Sequence, residues 1–156
     1  MKAALSSLYI IILALWAGGI AIFTFVVTPV IFKSYPRDTA GEIVGRLFPG
    51  YFGYNLALSV LAIVLFLLMS VDWSANLHRL SILLLAAAVI VNLYIVFKLH
   101  PDIVHIKQTV SSFERESPDS SARRSFKKLH AASAILNLFL LVDSVALLVT
   151  ARLLKK

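Results

Sequence analysis

Apolar residues fall into four long runs along this chain, from Leu5 to Phe32, Tyr51 to Val71, Leu80 to Leu99 and Leu129 to Leu154. Each has about 20 residues or more, enough at roughly 1.5 Å per residue to cross a hydrocarbon core about 30 Å thick. The pattern predicts four membrane helices over residues 5–32, 51–71, 79–99 and 121–154. Together they form one transmembrane domain over 1–156, an all-α antiparallel up-down four-helix bundle. Lys2 followed by an apolar segment resembles the start of a signal peptide. The segment runs on to Pro29, well past the length of a signal core, so the first helix is expected to be retained.

The connections differ in character. Between helices 1 and 2, Thr39 and Glu42 have the spacing of a capping box, which predicts a short interfacial helix ending before Pro49. The second connection, around SVDWSANLHR, is tight. In the third, Ile103, Ile106, Val110 and Phe113 recur at helical spacing, predicting an amphipathic extension of helix 3 to about residue 115 with a kink at Pro101. SPDSS then supplies a turn and the N-cap of helix 4. No internal repeat is evident in the residues.

Composition agrees with the pattern. Of 156 residues, 60% are hydrophobic and 15% charged, far from the usual balance of a soluble domain. The net charge of +7 would suit nucleic acid, but the basic residues stand at the ends of apolar runs, where they meet lipid headgroups. The bilayer is therefore the expected partner and nucleic acid is not. The side of connections 1–2 and 3–4 holds ten Lys and Arg residues and the other side five. That asymmetry places these two connections in the cytoplasm of a multi-pass cell (inner) membrane protein. The chain has no Cys and two Met, so soft-metal ligands are nearly absent, and neither a metal nor a cofactor is expected.

The chemistry lies in the polar residues inside the runs, where an unpaired group costs several kcal/mol. At 100° per residue, His130, Ser133, Asn137 and Ser144 share one face of helix 4. His78, Ser81, Ala88 and Asn92 share a face of helix 3, and Asn55, Ser59 and Ala62 a face of helix 2. On helix 1 the small or polar stripe is Ser7, Ala14, Gly18, Ala21 and Thr28. Such stripes are helix contact faces in lipid. By depth, Asn55, Asn92 and Asn137 converge in the half of the bundle near connections 1–2 and 3–4, with Ser59, Ser133 and Thr24 or Thr28 close by. Asp143 lies about 120° around helix 4 from Asn137 and needs a separate partner, with Tyr9 and Trp16 as candidates.

Two readings of the cluster stand side by side. In one, the amides and hydroxyls bind helix to helix. In the other, Asn55, Ser59, Asn92, His130, Ser133 and Asn137 line a polar pocket for a small solute. His100, His105 and His130 admit a third, a metal or a haem, although residues 100 and 105 lie about 140° apart on a helix. No motif of hydrolytic chemistry is present, and the chain is not expected to be an enzyme.

ALWAGGIAIFTFVVTPVIF, then AGEIVGRLFPGYF, then FKKLHAASAILNL resemble the transmembrane protein 205-like family of small four-helix membrane proteins. The residues that carry the likeness are Gly18, Gly19, Pro29, Gly41, Leu47, Phe48, Pro49, Tyr51, Phe52, His130 and Asn137. The resemblance implies a four-helix integral membrane protein of poorly defined function. Some animal members are linked with resistance to platinum drugs and with vesicle traffic, which implies export or trafficking. Without Cys and with Met only at Met1 and Met69, direct handling of platinum or copper is not expected here. The expectation is small-solute transport or efflux through the polar pocket. The alternatives are a non-catalytic assembly or trafficking factor and a haem- or metal-binding redox protein. The sequence names neither the solute nor a protein partner, and the little room inside four helices is compatible with a homo-oligomer.

Overall fold

In a computed structural model, which describes residues 2–69, 75–110, 112–114, 117 and 120–153, the chain is an all-α bundle of four long membrane helices. Helix 1 is an α-helix over Lys2–Ile22, a π turn over Phe23–Val27 and an α segment over Thr28–Ser34. Helix 2 runs over Arg37–Leu68. Helix 3 repeats the plan of helix 1, with Ala75–Tyr94, a π turn over Ile95–Leu99, and His100–Gln108. Helix 4 is unbroken over Ser121–Leu153. Each packs on its sequence neighbours, and helix 4 closes the ring against helix 1. Such helices, long and apolar enough to cross a membrane, identify an integral multi-pass membrane protein. Residues 70, 71 and 154 of the predicted spans, and most of the tight connection, lie outside the described residues.

The prolines explain the π turns. A proline offers no N–H to the carbonyl four residues back, here Phe25 for Pro29 and Phe97 for Pro101, and both carbonyls lie inside a π turn. The kink expected at Pro101 is thus a π turn just ahead of it. The extension ends at Gln108, short of the predicted 115, and residue 115 itself lies outside the described residues. Helices 1 and 3 also match in register. The offset that carries Pro29 to Pro101 carries buried Tyr9, Leu13, Trp16 and Ile20 onto buried Ser81, Leu85, Ala88 and Asn92. A repeat that residue identities hide is therefore visible in the geometry.

Two expectations are corrected. The short helix between helices 1 and 2 is present but not separate, because it runs through Pro49 into helix 2 as one continuous element. Its start is not closed by a Thr39–Glu42 box. The Arg37 amide donates to the Glu114 carboxylate (2.8 Å) from the distant third connection, and Glu42 pairs instead with exposed Arg46 (2.6 Å). Second, the small stripe of helix 1 is not its packing face. Ser7 and Ala14 are exposed and Gly18 and Ala21 only half-buried, while Tyr9, Leu13, Trp16 and Ile20 fill the centre. Helices 2, 3 and 4 present the small residues Ser59, Ala62, Ala88 and Ser144 inward, as predicted, and one bulky helix fills the space they leave. Of the paired glycines, Gly19 alone makes a close approach. A Cβ there would lie 2.5 Å from the Tyr54 ring, whose hydroxyl donates to the Leu15 carbonyl (2.6 Å). The expected N-cap of helix 4 is Ser120, whose Oγ accepts from the Arg123 amide (3.3 Å).

Candidate functional site

The polar residues of the bundle form a layer in the half near connections 1–2 and 3–4. Asn137 of helix 4 is its hub. Its Nδ2 donates to Thr24 Oγ1 on helix 1 (2.8 Å), and its Oδ1 accepts from the Tyr51 hydroxyl on helix 2. Thr24 lies inside the π turn ahead of Pro29. Tyr51 is held flat by Phe23, with ring centroids 4.0 Å apart. Asn55 donates back to the Tyr51 carbonyl (3.0 Å), and its Oδ1 has no partner among the described residues. A second bridge joins helices 2 and 3, where Asn92 donates to Ser59 Oγ (3.3 Å) and to the Ala88 carbonyl (3.0 Å).

The three amides therefore share the predicted half of the bundle but do not bond to one another. Asn137 binds helix 4 to helices 1 and 2, and Asn92 binds helix 3 to helix 2. Ser133 is buried on the same face of helix 4. Thr24 was legible by depth, whereas Tyr51 stood in the sequence as the first residue of an apolar run and as one of the residues that carry the family likeness. An alternation of tyrosine with amides one turn apart, Tyr51 and Asn55, is the signal that could have marked it.

Just outside this layer lies a cavity of about 410 Å³, at the end of the bundle that carries connections 1–2 and 3–4. Two helices line it with matching stripes. His100, Ile103, Val104 and Lys107 face it from helix 3, and Arg123, Phe126, Lys127 and His130 from helix 4. Both stripes have i, i+3, i+4, i+7 spacing, one face of a helix. Arg37, Gly41, Val44, Gly45 and Phe48 of helix 2, Thr28 and Phe32 of helix 1, and Phe113 complete the wall. Because helices 3 and 4 are antiparallel, both histidines fall at the inner end and Lys107 and Arg123 at the outer.

Aromatic rings hold the imidazoles. His100 is edge-on to Phe52, centroids 5.3 Å apart, and His130 is stacked on Phe126 at 5.7 Å and 7°. Phe126 meets Phe113 at 4.7 Å, and the Arg123 guanidinium lies 5.9 Å over the Phe113 ring. Lys107 Nζ donates to the Gly41 carbonyl (2.7 Å), and it passes so close to Gly45 that a Cβ there would sit 3.1 Å from it. Asp38 clasps the third connection, accepting from Ser112 Oγ (2.6 Å) and the Phe113 amide (2.7 Å), so the cavity's outer wall is fastened to helix 2.

Of the predicted site, His130 lines this cavity, while Asn55, Ser59, Asn92, Ser133 and Asn137 do not. His105 lies apart from His100 and His130, in a second hollow with Asp102 and Lys128. The cations were read only as charge flanking the apolar runs, and the shared i, i+3, i+4, i+7 spacing of the stripes on helices 3 and 4 was the readable signal.

Comparison of the chain with curated proteins and with solved structures finds no match. Residues 11–112, well over half of the chain, match the family described as a domain of unknown function, DUF4149, and this four-helix membrane protein belongs to that family.

Proposed function

We propose that the protein moves a small solute across or out of the membrane, receiving it in the cavity between the ends of the four helices and passing it toward the amide layer. The observation that carries this reading is the continuity of the two. Thr28 lines the cavity and lies one turn from Thr24, and His130 lies two turns from Asn137. A concave, largely apolar site with a few convergent polar groups is the usual form of a solute site. The likeness to the transmembrane protein 205-like family is part of the proposal, since its pattern residues Phe48 and His130 line the cavity while Tyr51 and Asn137 form the hub below it.

The test is an export assay in an efflux-deficient host, challenged with a panel of toxic amphipathic compounds. The wild-type chain raises the tolerated concentration of at least one compound, and His130→Leu and Asn137→Leu abolish the gain at matched protein yield. A wild type that changes no tolerance, or variants that keep the gain, would refute it. The rival is a non-catalytic assembly factor acting through the third connection. It predicts that scrambling Ser112 to Lys128 removes a crosslinked partner while cavity substitutions do nothing.

A further inference from the structure

The chemistry of the cavity specifies its occupant more narrowly than its position does. Four cationic side chains line it, Arg37, Lys107, Arg123 and Lys127, and no carboxylate does so among the described residues. Two acids of the adjoining segments are bound to backbone and hydroxyl donors, Glu114 to the Arg37 amide and Asp38 to Ser112 Oγ and the Phe113 amide. The rest of the wall is largely apolar, with the phenylalanines Phe32, Phe48, Phe113 and Phe126.

A basic rim collected at the end of a membrane bundle attracts anions, since Lys and Arg here present up to three and five N–H donors respectively and accept nothing. Lys107 uses one donor on Gly41 and keeps the others for a ligand. An apolar wall beside the cations favours an anion that carries a hydrophobic body, because a bare inorganic anion would gain nothing from it. Volume limits that body. About 410 Å³ lies near the lower end of the roughly 300 to 1,000 Å³ of small-molecule sites, room for one chain or ring system.

Resting on the cavity as the solute site proposed above, we infer that the occupant is a single-chain or aromatic organic anion, its charged head held by Arg37, Lys107 and Lys127 and its apolar body against the phenylalanines. A carboxylate, sulfonate or phosphate monoester head meets the requirement equally.

The experiment is native mass spectrometry of the full chain released from a non-ionic detergent, titrated with dodecyl phosphate as the probe. Dodecyltrimethylammonium, inorganic phosphate and phosphatidylglycerol serve as comparators. The expected result is a one-to-one dodecyl phosphate adduct at a concentration at least tenfold below that needed for the ammonium compound, and unaffected by millimolar inorganic phosphate. Lys127→Gln weakens the adduct several-fold, and Arg37→Gln/Lys107→Gln/Lys127→Gln weakens it at least tenfold. Lys107→Arg/Lys127→Arg retains it, which separates loss of charge from loss of fold. Equal binding of the cationic amphiphile, competition by inorganic phosphate, or displacement of the probe by equimolar phosphatidylglycerol would each overturn the inference, the last by making a two-chain lipid the occupant. The adduct and the export phenotype fail independently. Binding without export leaves the ligand class standing and removes the transport reading, and export without the anionic adduct does the reverse.

Discussion

The two ends of the bundle's interior treat polar atoms in opposite ways. Toward connections 1–2 and 3–4, Asn137, Tyr51, Thr24, Asn92 and Ser59 are bonded across helices, leaving one acceptor, Asn55 Oδ1, without a partner among the described residues. Further in, the Tyr9 hydroxyl, the Trp16 indole N–H, the Ser81 hydroxyl and both Asp143 oxygens are buried without a partner among the described residues. By helical rise, Asp143 is about 9 Å beyond Asn137, and Trp16 and Tyr9 are about 12 and 22 Å beyond Thr24. The first layer acts as glue that also borders a cavity. The second holds polar capacity that packing does not use, and in lipid such groups are expensive to keep. Stability and polarity should therefore be coupled with opposite sign in the two layers.

The largest effect is expected at the hub. Asn137→Leu removes the amide that binds both the Tyr51 and the Thr24 hydroxyls, and should lower stability by about 2 kcal/mol. Thermal melting in detergent, followed by tryptophan fluorescence, reads it directly. An unchanged Tm would mean that the layer bears no load and that the contrast between the layers is false.

Asp143→Leu should move the other way. No hydrogen bond among the described residues is lost, a buried carboxyl is removed, and the leucine fills similar space, so stability should rise by about 1 kcal/mol. A fall instead would show that Asp143 is held by something inside the bilayer, and the export assay on the same variant would then tell whether that something is part of the solute's path.

Asn92→Ala is the intermediate case. Its bridge to Ser59 is long at 3.3 Å, and Ser59 keeps its own bond to the Leu56 carbonyl (2.9 Å), so the serine is not stranded. A loss of about 1 kcal/mol is expected, half that of Asn137→Leu, and equal losses would show that the helix 2–3 bridge matters as much as the hub.

How far the sequence went differs between the same two regions. Four spans, their antiparallel alternation and the inward faces of helices 2, 3 and 4 follow from run length and from period 3.6, because a polar atom in lipid has to turn inward whatever it meets there. The depth of Asn55, Asn92 and Asn137 was legible for the same reason. Their partners were not, because Tyr51 could belong to an interfacial belt as readily as to a hub, and only the continuous helix through Pro49 decides. Helix 1 was misread since small residues and large rings both pack, and which face wins depends on what the other three helices leave empty. The cavity needed three segments far apart in sequence, Thr28 to Phe48, His100 to Lys107 and Phe113 to His130, to be brought to one place. Periodicity on a single helix cannot supply that.

The smallest predicted change is also the most exacting test of the contrast. Tyr9→Phe deletes one oxygen and keeps the ring, which packs at 5.9 Å and 52° on Phe66. Since that oxygen has no partner among the described residues and the residue is 1% exposed, its loss should leave stability within about 0.5 kcal/mol or raise it slightly. Asp143 is the carboxyl of the same buried layer, likewise without a partner among the described residues. If Tyr9→Phe lowers the Tm by an amount equivalent to 1 kcal/mol or more, and Asp143→Leu abolishes that difference in the double variant, the two groups are coupled. The inner layer would then be a second bonded network across helices 1 and 4, and the polar contrast between the two ends would reduce to one of depth alone.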